Sequence, residues 1–546
     1  MAGFSLTTSI RNAAKNSPWL VIAVGIHVVI FAALSVVYVK RQFEKKDDAP
    51  ASVTITRPAI EQVDTPPPPP EVIDRKAIPK NTEAELVSYE EDTFQPLSEA
   101  APDPNEDLHL ERGDPNAIDN LPPGSTGGTS IGAGGVGHFG TGVPAAFASR
   151  KLGGGGKRGR ASGVTEGTEA AVLDGLRWLL RHQNDDGSWG ADTLRDHCSN
   201  KAQCVSDNQD FSPQYNPGIT GLALLAFLGC GMGHDSKINI VDTAMGKRYI
   251  VGEQVKKGLK WLVDEQGPDG SFVHYSGTMY NEAIASLALS EAYALSNKNK
   301  FWKEPAEKAL NYLISAQKAN PMGTGRWGWR YTPGGDSIAD TSVTCWCVMA
   351  FKSANIAGLK VPQQTWDGAM DFAHWVTGKE GLVGYLDPQG AGEVVTGHND
   401  HFDYHIGTMS SLGMLIRTFV QHDPNDQFLE QAASVVVKDL PHVSEDHLSV
   451  DYYYWYYGTL ALNQYDGPDS PRKGGGKFWD PWNKAMQDSV LALQDKNKEQ
   501  DVCSRGGWLV QDRWSYAGGP IYCTAINVLT LEVYYRYANA FGAREH

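Results

Sequence analysis

A glutamine, a glycine and an aromatic residue two positions beyond it recur along this chain, each time after an apolar, helix-like run. Gln183, Gly187 and Trp189 follow a stripe of Val172, Leu173, Leu176, Leu179 and Leu180. Gln266, Gly270 and Phe272 follow Leu259 and Leu262, and Gln317 precedes Gly325 and Trp327 after a short insertion. Gln494 precedes Gly506 and Trp508. A repeat at this scale means stacked supersecondary units, none of which buries its apolar face alone.

The repeat sets the helical pattern. First members of successive pairs fall at 169–183, 252–266, 304–317, 364–377, 426–438 and 480–495, and second members at 217–229, 279–295, 340–354, 404–420, 451–463 and 522–538. Some second members, such as Thr341 to Ala354, are apolar around most of their circumference and suit burial on more than one side. Six such hairpins predict an all-α fold, an α/α toroid with one ring of helices inside the other, over 166–546. The repeated loop is then a staple. Gln can donate to carbonyls left open at the helix end, Gly takes the positive φ of the reversal, and the aromatic fills the gap between hairpins.

What precedes the toroid has another composition. After a short tail, 1–17, residues 18–39 carry no Asp, Glu, Lys or Arg and are long enough to span a bilayer as one helix. From 40 to 165 the chain reads as a disordered linker. More than half of the 30 prolines precede residue 165, Pro66 to Pro70 favour an extended polyproline form, and a Gly-rich tract follows. A formal charge of −16 offers no basic surface to phosphates and excludes a nucleic-acid binder. Seven cysteines in 546 residues do not make a disulfide scaffold, although Cys198 and Cys204 share a polar loop and could pair.

The spacing Gln183-x-x-x-Gly187-x-Trp189 resembles the QW repeat of squalene and oxidosqualene cyclases, whose fold protein prenyltransferase β-subunits share. The resemblance implies a central cavity that holds an isoprenoid or another apolar ligand. It also implies where chemistry would lie. Cyclases protonate an alkene from the middle acid of an Asp-x-Asp-Asp-Thr-Ala segment; the comparable place is Ser337 to Ser342, where Asp340 and Thr341 fit but Ala339 replaces the donor. Asp340, with Asp336 nearby, is the remaining catalytic candidate. Prenyltransferases hold zinc through Asp, Cys and His. Phe402-Asp403-Tyr404-His405 resembles their His segment, while Ser342 stands in place of the Cys. A metal set of His401, His405 and Asp340 is the candidate here, and zinc the cofactor it would take. The thioester sequence of complement-type toroids is incomplete at Gly229-Cys230-Gly231. Trp327, Trp329, Trp346, Asp403, Tyr453 and Trp455 are the candidates for lining the cavity.

The first seventy residues resemble the N-terminus of TonB-type energy transducers, through Ala23 to His27, Ser52 to Thr56 and the proline run. This implies a body on the periplasmic side of an inner membrane. Two further functions fit a tethered toroid: an interaction module contacting an envelope protein, and a carbohydrate-active enzyme using paired carboxylates.

Overall fold

The computed structural model describes residues 147 and 150 and, with short gaps, 163–541. The proposed membrane span and most of the proposed linker lie outside the described residues, as does Asp336. Among the described residues no helix is long and apolar enough to cross a membrane.

Among the described residues six hairpins follow in order: α1 (Glu166–Arg181) with α2 (Asn216–Gly229), α3 (Val251–Glu265) with α4 (Met279–Leu295), and α5 (Lys300–Ser315) with α6 (Thr341–Ile356). Then come α7 (Gln363–Trp375) with α8 (Gly407–Gln421), α9 (Gln427–Val436) with α10 (Tyr452–Asp466), and α11 (Trp479–Leu493) with α12 (Gly519–Leu531). A short α13 (Val533–Arg536) ends the series. Between α2 and α3 lies an antiparallel ribbon, β1 (Asn239–Asp242) against β2 (Lys247–Ile250), with Asn239 opposite Ile250. Each even-numbered helix through α12 packs on the next, and α12 returns to α2, so these six close an inner ring. The odd-numbered helices from α1 to α11 lie outside it, each against its inner neighbours. The fold is an α/α toroid.

Composition explains which helix goes where. In α3 the buried residues are Val251, Gly252, Val255, Gly258, Leu259 and Leu262, one stripe at helical spacing, with Lys and Glu on the other face. In α10 nearly every residue from Tyr452 to Asp466 is buried, so no face is left for water.

The glutamine staple has a definite geometry. Gln183 Nε2 donates to Gly187 O in its own loop (2.9 Å) and to Gln254 O in the first turn of α3 (3.0 Å). Gln266 does the same to Gly270 O and Pro305 O, and Gln317 to Trp327 O and Thr365 O. Gln494 donates to Gly506 O (2.9 Å) and to Ala171 O in α1 (2.8 Å), which closes the ring. The aromatic member ties inward and outward together. Trp189 donates from its indole to Leu179 O on α1 and from its backbone to Thr220 on α2. Trp329 and Trp508 repeat both bonds. The third repeat therefore uses Trp329 as its aromatic, not Trp327, which occupies the position of the glycine; the insertion between Gln317 and Trp327 displaces the spacing.

Several residues of the stretch read as linker belong to the body: Phe147 joins the buried core and Thr165 caps α1. Arg150 is buried, and its guanidinium pairs with both oxygens of Glu291 (2.7 and 3.1 Å). Glu291 also receives Arg536 (3.1 Å), Ser353 (3.1 Å) and Tyr537 (3.2 Å). This network lies where the inner helices end: Arg150 donates to Leu228 O and Arg536 to Leu225 O, both near the C-terminus of α2. Helix C-termini present uncompensated carbonyls, which favour cations. Burial raises the Glu291 pKa, but the charges of Arg150 and Arg536 outweigh it and hold the carboxyl below its ordinary value.

Candidate functional site

At the opposite end the six inner helices begin, and there the ring encloses a cavity of about 570 Å³. Helix N-caps contribute to its wall: Tyr215, Thr278, Ile406, Asp451 and Gly518 all line it. The first two turns supply an apolar depth, with Ile219 and Leu222 from α2, Ile284 from α4, Trp346 from α6 and Met409 from α8. The loops supply tyrosines. Tyr331 and Tyr385 join hydroxyls across the mouth, Tyr516 lines the same space, and Tyr280 reaches it from the first turn of α4.

Polar groups gather on two sides. On one, Tyr280 OH donates to Ser342 Oγ (2.8 Å), which donates to Asp340 Oδ1 (2.7 Å). Asp340 caps α6 by accepting from Val343 N (2.8 Å), and it is fully buried behind Ser342 rather than in the cavity wall. Burial pushes its pKa up to about 6, against the pull of the cap bonds and of Arg330. Since the folded form binds a proton more tightly than the unfolded chain, stability falls as pH rises from the ordinary carboxylate value of 3.8 through about 6. Asp340→Asn keeps the cap and removes the titration. Between pH 4 and 7 wild type should lose on the order of 3 kcal/mol relative to the variant, measured as the difference in urea midpoints. Parallel pH profiles would show that Asp340 does not titrate there.

On the other side His405 lines the cavity. Its Nδ1 pairs with Asp439 Oδ2 (2.6 Å) and its ring stacks on Tyr454 at 4.9 Å, while Nε2 is buried with no protein partner. Burial lowers the His405 pKa, but the bond to Asp439 and the charges of Asp451 and Asp403 together raise it above its ordinary value. Asp451 caps α10 through Tyr454 N (2.8 Å), and burial pushes its carboxyl up. Asp512, which accepts from Tyr452 N (2.9 Å), is pushed up to about 7 by burial and then by Asp451. Arg513 donates to Asp400 Oδ1 (2.8 Å) and lies over the Tyr404 ring at 3.9 Å.

Of the residues singled out in the sequence, Trp346, Asp403, Tyr453 and His405 meet at this cavity. Trp329 is a staple, Trp327 packs on Phe372 at 5.5 Å, and Trp455 packs on Tyr452 at 5.6 Å, all outside the lining. His401 is exposed with its ring tilted against Phe402 at 4.5 Å, so His401, His405 and Asp340 do not converge. Among the described residues one group of donors lies within metal reach, His182, Cys198, Cys204 and Cys503, and none of the four lines the cavity. Tyr280, Tyr385, Asp439 and Arg513 were not legible as site residues. Each comes from a different segment, and no local spacing links them. Cys230 donates to Glu532 Oε1 (3.0 Å) in the buried core.

No protein-family model matches the chain, and no curated protein sequence matches it significantly. Among solved structures, a Salegentibacter alpha-1,6-mannanase is 13% identical, with a TM-score of 0.42 over 67% of this chain and 98% of that one. A type II terpene cyclase, MstE from Scytonema, is also 13% identical, with a TM-score of 0.40 over 67% of this chain and 97% of that one. At these identities and scores the likeness says nothing of chemistry. The toroid stands on the helix contacts themselves.

Proposed function

We propose that the toroid is a ligand-binding body whose cavity takes the apolar part of an amphiphile, of isoprenoid type, with the polar end at the tyrosine-rich mouth. The supporting observation is the apolar depth formed by Leu222, Ile284 and Trp346 at the centre of the inner ring. A cavity of this size and mixed lining matches a small-molecule site rather than a solid scaffold. The stretch 18–39 would tether the body to a membrane, with the toroid on the periplasmic side, within reach of such lipids and of an envelope partner.

The test is solvent extraction of the purified full chain and mass spectrometry of what it carries. Wild type is expected to carry an apolar lipid, and Leu222→Trp and Ile284→Trp, which fill the depth, to lose at least nine-tenths of it. An empty wild type, or filled variants that bind as well, would sink the reading.

His405 supports a second reading, acid–base turnover of the ligand's polar end. A histidine in a cavity wall, held by a carboxylate at one ring nitrogen and with the other nitrogen unpartnered, has the arrangement of a general acid or base. In that case His405→Gln keeps the bound lipid and removes its conversion.

A further inference from the structure

We infer that His182, Cys198, Cys204 and Cys503 form a zinc clasp that locks the first and last repeats together and so closes the ring. His182 is the C-cap of α1, beside the first staple glutamine. Cys198 and Cys204 belong to the segment between α1 and α2, and Cys503 to the loop between α11 and α12. The four donor atoms all lie within 4.8 Å of one another. Cys204 Sγ is 3.4 Å from His182 Nε2 and 3.6 Å from Cys503 Sγ. Tetrahedral zinc with bonds of about 2.3 Å to sulfur and about 2.0 Å to nitrogen sets donor separations of roughly 3.5–3.8 Å. The second distance therefore already has the size a metal would impose, and the first is only slightly shorter.

The surroundings prepare the donors. His182 Nδ1 is 2.8 Å from Trp178 O, and a carbonyl can only accept, so Nδ1 carries the proton and Nε2 turns a lone pair to the sulfurs. That is how ligating histidines are usually held. Cys204 N donates to Cys198 Sγ (3.3 Å), a bond that favours a thiolate. Three thiolates on a divalent ion leave one negative charge; Arg181, which pairs with Asp242 (2.8 Å), also donates to Cys503 O (3.3 Å) at the edge of the cluster. Three sulfurs and one imidazole select zinc over magnesium or calcium. None of the seven cysteines is in a disulfide.

The clasp lies at the seam. The loop carrying Cys503 is the one whose Gln494 reaches Ala171 on α1, the hydrogen bond that joins the two ends of the repeat series. A bound ion would add a cross-link between segments some 300 residues apart in sequence, where loop closure is most costly.

The test is metal analysis of the full chain purified without chelators. One zinc per chain is expected, with Cys503→Ser and Cys204→Ser each losing nearly all of it and Cys347→Ser, outside the cluster, keeping it. So that the test does not depend on the folding of the serine variants, His182→Cys serves as the second arm. It should retain zinc through four sulfurs and, exchanged with cobalt(II), show the visible absorption of a tetrahedral thiolate site. A metal-free wild type, iron or copper in place of zinc, or a mass two hydrogens lower from a disulfide among Cys198, Cys204 and Cys503 would overturn the proposal. So would Cys503→Ser that keeps its zinc.

Discussion

Glu291→Gln is expected to destabilise the body by about 3–5 kcal/mol, because it leaves the buried Arg150 without a carboxylate and Arg536 with only Glu532, at 3.4 Å. Arg150, Arg536 and Glu291 have almost no exposed side-chain surface, so water cannot replace the carboxylate. The glutamine amide keeps one acceptor oxygen for Ser353 and Tyr537, but its NH2 sets donors against the donors of Arg150 and Arg536. The network is not in itself a large source of stability, since its desolvation offsets much of the Coulomb gain. A triple variant, Arg150→Met with Glu291→Leu and Arg536→Met, should therefore be less destabilised than Glu291→Gln alone. The pH dependence follows from the lowered Glu291 pKa. Its contribution is present above the ordinary carboxylate range and is lost as pH falls through the depressed value. Wild type should lose stability in acid more steeply than Glu291→Gln, measured by urea midpoints from pH 7 downwards. A glutamine variant as stable as wild type would mean that the two arginines find other partners.

Gly506→Ala is expected to cost on the order of 2–6 kcal/mol, from a strained backbone and an overlap together. Gly506 has a φ of +87°, and a Cβ there would overlap the backbone carbonyl of Asp174 on α1. The overlap is with backbone, which cannot rotate away. Gly246 is the control: its φ is +63° but a Cβ there meets nothing within 4 Å, so Gly246→Ala should cost only about 1 kcal/mol. Gly187 and Gly270 meet the next outer helix in the same way as Gly506. At Gly506, however, the loss falls on the seam, and unfolding should become less cooperative as the ring opens. Equal losses at Gly246 and Gly506 would show that backbone conformation alone, not the approach of α1, demands the glycine.

The repeat was legible because its physics is local. A glutamine at a helix end, a glycine at positive φ and an indole that reaches back to its own outer helix all lie within one loop, so their spacing survives in the sequence. It failed only at Gln317, where an insertion moved the glycine position onto Trp327 and the aromatic onto Trp329. The cavity was legible only in part. Trp346 and Tyr453 face it while Trp455 does not, yet all three stand on inner helices that are apolar on every side. Periodicity gives no direction to such helices.

The sequence by itself determined the toroid, its staples, and an inner ring buried on all sides, since these depend on helical period and loop chemistry. Tertiary structure alone decided three things. It turned Leu222, Ile284 and Trp346 to one cavity, docked Arg150 onto a buried glutamate far along the chain, and brought Cys503 to His182, Cys198 and Cys204 at the seam. Each depends on closure of the ring, and closure joins residues whose separation along the chain leaves no local pattern to read.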